Sequence, residues 1–106
     1  WQTDRPLERD YTVLVHLYDK DGRLWGAGDA QPLAGQYPTT RWQPGENVGD
    51  PHLVRLDPAA PIGQYTVAVG LYDLQTMRRL TVRDGDGKPV AEDSIRLAPP
   101  VEARAR

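Results

Sequence analysis

The chain has 106 residues, 39% of them hydrophobic and 26% charged, with 13 Lys and Arg against 15 Asp and Glu. This length fits one domain with one core, and the interspersed charges, with a formal net of −2, give no field that would collect phosphates, so we expect no nucleic-acid partner. Cysteine is absent, which excludes disulfides and thiolate metal sites, and no apolar run could span a bilayer, so we expect the chain as given to be soluble.

The first half of the chain predicts a β-hairpin followed by a long loop. Residues 2–10 are charged and lead into a strand at about 11–18, because Val, Thr and Tyr suit a pleated surface. The turn sequence at 19–22 then predicts a return strand over 23–30. Residues 31–46 contain three prolines and two glycines without a period of two, so we predict a long ordered loop, a type of segment that is often functional.

The second half continues with short strands and turns. Its Gly and Pro residues, ten of each in the whole chain, favour many short strands over helices. We predict strands at 47–56, 64–72, 79–83 and within 89–97, with a Pro-rich corner at 57–63 and turns at 73–77 and 84–87. We assign a single β-sandwich domain to residues 1–98 and a flexible tail to residues 99–106.

Two of the predicted strands are near-copies of each other. YTVLVHLYD at 11–19 returns as YTVAVGLYD at 65–73, with differences only at the fourth and sixth positions. If the copies lie side by side, the changed residues Leu14, His16, Ala68 and Gly70 share the outer face. Small residues beside large ones would leave a shallow hollow there, or Gly70 makes room for His16 or a neighbouring loop. The alternate positions predict the core face: Tyr11, Val13, Val15, Leu17, Tyr65, Val67, Val69 and Leu71.

Six short strands separated by turns predict an all-β fold, an antiparallel sandwich of the immunoglobulin or fibronectin type III class. Between the near-copies lies the run Asp29-x-x-Pro32-x-x-Gly35-x-Tyr37-Pro38-Thr39-x-x-Trp42-x-x-Gly45-Glu46-x-x-x-Asp50-x-His52. With the near-copies, this run resembles the soluble β-sandwich domain at the carboxyl end of many bacterial membrane glycosyltransferases of the dolichyl-phosphate-mannose mannosyltransferase-like class, and of related uncharacterised membrane proteins. The resemblance covers roughly residues 1–97.

The resemblance implies a non-catalytic, extracytoplasmic accessory domain whose partner is the membrane-embedded part of its parent protein, where transferase chemistry would lie. It also implies one or two strands before Trp1, which this sequence lacks. We therefore expect self-association through an uncovered strand edge. The chain departs from the family pattern at Trp25, where a small or aliphatic residue is usual, and at Met77, where Gly is usual.

Aromatic residues in and near the long loop suggest an alternative function, carbohydrate binding. Sugar rings stack on aromatic planes while carboxylates accept their hydroxyl hydrogen bonds. The candidate residues for such a surface are Trp25, Tyr37, Trp42, Asp29 and Glu46. The competing interpretation is that Trp42 anchors the loop on the core and that its indole N–H finds a carbonyl.

Two further residues are weak candidates for a metal site. Asp50 and His52 lie two apart on a predicted strand and therefore on the same side, where Asp29 or Glu46 could join them. The competing interpretation is that Asp50 accepts backbone N–H groups of the loop and His52 packs against it. We predict no metal and no cofactor.

Catalysis is not indicated by the sequence. Glu46 and Asp50 could serve a glycosidase as a carboxylate pair, but nothing places them across a cleft. No nucleophile motif is present. We therefore predict that the chain is not an enzyme and name no catalytic residue.

Overall fold

The computed structural model describes residues 1–104 and shows an all-β protein, as predicted. Five strands form one antiparallel sheet in the order β3-β2-β1-β4-β5. None of the described residues belongs to a helix long and apolar enough to cross a membrane. The strands are β1 (Thr12–Tyr18), β2 (Leu24–Ala27), β3 (Arg55–Leu56), β4 (Gly63–Tyr72) and β5 (Ile95–Ala103), and the short 3₁₀ turns are Pro32–Gly35, Thr39–Arg41 and Ala91–Asp93.

The near-copies are the two central strands, β1 and β4, and they pair directly with each other. Because the pairing is antiparallel, Leu14 lies opposite Gly70 and His16 opposite Ala68. The changed positions therefore meet across the sheet, as the alternation of the two segments predicted.

The predicted core face packs against loops. Val13, Val15 and Leu71 from the central strands are buried with Trp42 and Val48 from the long loop between β2 and β3. The segments that complete this layer contribute half-buried side chains, among them Trp1, Leu7, Tyr37, Val54 and Leu80. Within residues 1–104 no second hydrogen-bonded sheet covers the first, so a sandwich stays a prediction.

The amino-terminal segment runs beside the long loop. The backbone groups of Trp1 and Val48 exchange two hydrogen bonds of 2.8 Å, and the Gly45 N–H donates to the Thr3 carbonyl at 2.9 Å. This pairing joins segments more than 40 residues apart in the sequence and secures the loop layer over the core.

Several strand boundaries differ from the prediction. Of residues 47–56 only Arg55–Leu56 form a strand, and residues 79–83 make only isolated bridges.

The last strand extends further than predicted. It is Ile95–Ala103 and pairs Gly63 with Ala103, so residues 99–103 belong to the sheet and the predicted tail boundary is corrected. The pairing is irregular between Tyr65 and Val67, opposite Pro99 and Pro100, which have no N–H to donate. Residues 105–106 of the predicted tail lie outside the described residues.

The outer face of the central strands is also covered. Leu14 and Ala68 are 2% and 1% exposed. A Cβ at Gly70 would lie 2.7 Å from the Asp93 carbonyl oxygen and 3.3 Å from Cδ2 of Leu14. Gly70 therefore makes room for a neighbouring loop, which confirms the second interpretation and leaves no hollow at this position.

Candidate functional site

Trp42, the centre of the predicted aromatic site, is buried. It directly follows the 3₁₀ turn Thr39–Arg41 and is only 3% exposed, within the core cluster. Its indole Nε1 donates a hydrogen bond to the Tyr37 carbonyl at 3.0 Å. Trp42 anchors the long loop, as the competing interpretation held, and a sugar cannot stack on its ring.

Tyr37 and Glu46 form a closed polar pair on the same loop. The Tyr37 hydroxyl donates to Oε1 of Glu46 at 2.6 Å, and the same oxygen accepts the Gln43 N–H at 3.1 Å. The hydrogen bond from Tyr37, followed by that from Gln43, holds the pKa of Glu46 below its usual range, and the same contact raises the pKa of Tyr37. The Arg41 guanidinium lies 5.8 Å from the centroid of the Tyr37 ring.

Trp25 serves a different part of the molecule, the turn between β1 and β2. Its indole Nε1 donates to Oδ2 of Asp19 at 2.8 Å, and Oδ1 of Asp19 accepts the N–H groups of Asp21 and Arg23. The backbone hydrogen bond from Arg23 and then the one from Trp25 lower the pKa of Asp19. The Arg23 guanidinium lies 4.6 Å from the Trp25 ring centroid, so one ring face is occupied.

The three aromatic residues therefore do not form one platform. Tyr37 and Trp42 belong to the core cluster, and Trp25 is not among the residues of that cluster. The sequence pattern placed them together because they are close along the chain, but the loop folds inward while β2 remains in the sheet.

Asp50 and His52 form a buried pair, with side chains 1% and 7% exposed. Oδ1 of Asp50 accepts the Leu33 N–H at 2.8 Å, and Oδ2 faces Nε2 of His52. The other ring nitrogen, Nδ1, donates to the Gly28 carbonyl at 2.9 Å. Both nitrogens of His52 face oxygen atoms, so neither offers a lone pair to a metal ion.

This geometry confirms the competing interpretation of Asp50, which accepts a loop N–H. Among residues 1–104, no group of three or more His, Asp and Glu side chains is placed to hold a metal ion. Asp29 and Glu46, suggested as additional ligands, instead have the separate partners described here.

Asp29 belongs to a polar cluster on the outer face of the sheet that sequence reasoning did not assemble. Its Oδ1 accepts the Val15 N–H at 3.0 Å and lies 3.3 Å from Nε2 of His16, and its Oδ2 accepts the Tyr72 hydroxyl at 3.2 Å. Nδ1 of His16 lies 3.1 Å from the Tyr18 hydroxyl. Burial and then the nearby Asp29 carboxylate raise the pKa of Tyr72.

Side chains alternate along a strand, so Tyr18 and Tyr72 of this outer-face cluster share the face that the sequence predicted for His16. The alternation could not assign Asp29 to them, because Asp29 follows the end of β2 and its position depends on the pairing of the adjacent Ala30 with Val13. Chemically, the cluster is a chain of hydrogen bonds that ties β1 to β4 and to the residues after β2.

No protein-family model matches the chain, and no curated protein or solved structure matches it either. The resemblance to glycosyltransferase-associated domains therefore rests on the sequence motifs alone.

Proposed function

We propose that the chain is a non-catalytic accessory β domain of a membrane-associated, glycosyltransferase-like protein. Its role is to pack against the membrane-embedded part of its parent protein, on the extracytoplasmic side. The motif between the near-copies supports the family part of this proposal. The observation that carries the non-catalytic part is the internal use of the motif's polar groups.

Each candidate carboxylate has partners inside the domain. Glu46 accepts hydrogen bonds from Tyr37 and Gln43, and its lowered pKa favours the ionised form that accepts them. Asp50 is 1% exposed and faces His52 and the Leu33 N–H. A general acid or base must reach a substrate proton, whereas the Asp50 side chain is buried and Oε1 of Glu46 already accepts two hydrogen bonds.

The same holds for the rest of the described chain. Over residues 1–104, no buried side-chain nitrogen or oxygen lacks a hydrogen-bond partner. Fully satisfied polar networks make a structure rigid and specific. This pattern favours a rigid accessory domain over an enzyme, because a catalytic group must be free to contact its substrate.

Carbohydrate binding by the loop has less support, because it requires exposed aromatic rings. Trp42 is buried, and Trp25 and Tyr37 each have an arginine guanidinium near one ring face. Their remaining surfaces are parts of different segments, one in β2 and one in the long loop.

A glycan array combined with saturation-transfer NMR separates the two functions. We expect the 106-residue chain to give no signal with free or lipid-linked sugars and no hydrolysis of chromogenic glycosides. Trp25→Ala and Tyr37→Ala, which each remove one aromatic ring, provide the matched variants. A sugar signal in the wild type that either variant removes would replace the accessory proposal by carbohydrate binding, and glycoside turnover that Glu46→Gln removes would replace it by catalysis.

A further inference from the structure

We propose that the turn after β4 binds the surface of an anionic lipid bilayer. The surface consists of two apolar side chains, Leu74 and Met77, and three arginines, Arg9, Arg78 and Arg79, and we call it the cationic tip. This inference adds a membrane contact to the proposed accessory role. It depends on that role only because the role places a membrane near the domain.

The apolar side chains of the cationic tip are exposed. Leu74 is 63% and Met77 67% exposed, within four positions of each other in one tight turn. A single exposed apolar residue is ordinary, so exposure alone would carry no conclusion. Two in one turn, next to a pair of arginines, form a small apolar surface with a basic border.

The backbone of Met77 provides a second, independent observation. Its N–H donates to the Asp73 carbonyl at 2.6 Å, and the Asp73 N–H donates to the Arg78 carbonyl at 2.9 Å, which closes the turn. Closure holds Met77 at φ +60°, the left-handed region that glycine adopts without cost. A long apolar side chain is thus kept in water at a position where its backbone is strained, which points to a function for the side chain.

The electrostatics of the cationic tip favour an anionic partner. Arg9, Arg78 and Arg79 line an open cleft of about 460 Å³ at the base of the turn. The Asp73 carboxylate in the same cleft is paired with Arg9 at 2.6 Å. Hydrogen bonds from the Gln75 N–H and then from Arg9 lower the pKa of Asp73, so it offsets one arginine. The Asp10 carboxylate, in the neighbouring cleft with Leu74, accepts a hydrogen bond from Thr40 and offsets part of the remaining charge, so the tip keeps a net positive charge from Arg78 and Arg79.

Arg79 keeps its charge in this arrangement. Its Nη1 donates to the backbone carbonyl of Glu92 at 2.8 Å, a neutral acceptor. The Glu92 carboxylate lies instead 3.9 Å from Arg96. The guanidinium of Arg79 is therefore fixed in direction without being neutralised.

A lipid surface fits this tip better than a folded protein. A stable protein interface buries roughly 800 Å² on each partner, far more than two side chains and a cleft rim present. Leu and Met side chains can enter the region between headgroups and acyl chains while arginines extend to the lipid phosphates. Such a small, mixed surface is typical of reversible membrane contact.

The test is co-sedimentation of the 106-residue chain with phosphatidylcholine vesicles that contain or lack phosphatidylglycerol. We expect association with the anionic vesicles only, weakened by salt. Arg78→Gln with Arg79→Gln should lower the partition coefficient roughly thirty-fold, on the typical contribution of each juxtamembrane arginine. Leu74→Ser with Met77→Ser should lower it by a similar factor.

The matched controls are Leu53→Ser and Arg55→Gln, an exposed leucine just before the edge strand β3 and an exposed arginine in it. Both should bind vesicles as the wild type does, and circular dichroism should show that all variants are folded. The proposal is overturned if the folded wild type stays in the supernatant, or if the controls lose binding as much as the tip variants. A wild-type dimer that becomes a monomer on changing Leu74 and Met77 would assign the tip to self-association and also overturn it.

The vesicle result and the glycan result are independent. If the chain does not bind vesicles, the cationic tip is not a lipid-binding surface, and the proposed accessory role is unaffected. A glycan-binding or glycosidase signal would overturn the accessory role, whatever the vesicles show.

Discussion

His52 connects the carboxylate of Asp50 to the backbone of Gly28, the residue that directly follows β2. Nδ1 donates to the Gly28 carbonyl at 2.9 Å, and Nε2 faces Oδ2 of Asp50, so both ring nitrogens have an oxygen partner. Gly28 permits this approach, since a Cβ there would lie 2.6 Å from the Leu53 carbonyl oxygen. The pair and the glycine together fasten the long loop to the edge of the sheet.

Breaking this pair should strongly destabilise the fold. We expect His52→Ala to lower the free energy of unfolding by about 3 kcal/mol, because it removes the His52 partner of a buried carboxylate oxygen and of the half-buried Gly28 carbonyl. Urea denaturation of His52→Ala, Asp50→Ala and the double variant gives the coupling energy. A coupling below about 0.5 kcal/mol would show that the two side chains act separately.

The burial of Trp42 predicts a larger effect than that of Trp25. Trp42→Ala should cost about 3–5 kcal/mol, since a large side chain leaves the core cluster. Trp25→Ala, which removes one hydrogen bond to Asp19 at a half-buried position, should cost about 1 kcal/mol. Equal losses in chemical denaturation would contradict the assignment of Trp42 as the anchor of the loop.

Gly70 is predicted to resist even the smallest side chain. Gly70→Ala brings a Cβ against the Asp93 carbonyl, a backbone atom that cannot rotate away, and should cost about 1–3 kcal/mol. Gly49→Ala is the control, because a Cβ at Gly49 meets nothing within 4 Å and its φ is not in the left-handed region. Thermal unfolding should place Gly49→Ala within about 0.5 kcal/mol of the wild type, and a comparable loss in both variants would refute the packing explanation.

Stability should fall in acid because hydrogen bonds lower the pKa values of Asp19 and Asp73 in the folded chain. A carboxyl with a depressed folded pKa contributes stability above its unfolded value, near 4, and loses it as the pH falls through the folded pKa. We expect the urea midpoint of the wild type to decrease below about pH 4 and that of Asp19→Asn to decrease less steeply. Asp21→Asn, an exposed carboxylate in the same turn, should retain the wild-type slope.

The strain at Met77 predicts opposite effects on stability and binding. Met77→Gly should raise the free energy of unfolding by roughly 1 kcal/mol, because glycine adopts φ +60° without cost. The same variant should bind anionic vesicles less tightly, since it removes an apolar side chain. Gln75→Gly, in the same turn at an ordinary φ, should lose about 0.5–1 kcal/mol, and a gain there would contradict the explanation by strain.

Two features of the sequence predicted the centre of the fold. The alternation of aliphatic residues in the near-copies identified β1 and β4 and their core face, because side chains of a strand alternate between faces. The rarity of helix-forming stretches and the many Gly and Pro residues indicated the all-β class. These signals are local, so one sequence is enough to show them.

The errors arose where backbone hydrogen bonds depend on distant partners. Residues 47–54 alternate like a strand, but Val48 pairs with Trp1 and Asp50 accepts a loop N–H, so the segment forms the loop layer. The segment with Pro99 and Pro100 has little strand propensity, yet it pairs with the long β4 because that strand has a free edge. Propensity cannot show which edge is free.

The sequence by itself determined the central strands, their buried face and the exclusion of thiolate chemistry, since these depend on residue type and on a period of two. Only the tertiary structure decided that Trp42 is an anchor, that Asp50 and His52 use their polar atoms on the loop and on Gly28, and that Leu74 and Met77 stand exposed beside three arginines. Burial, hydrogen-bond partners and local charge are set by residues far apart in the chain, and folding alone brings them together.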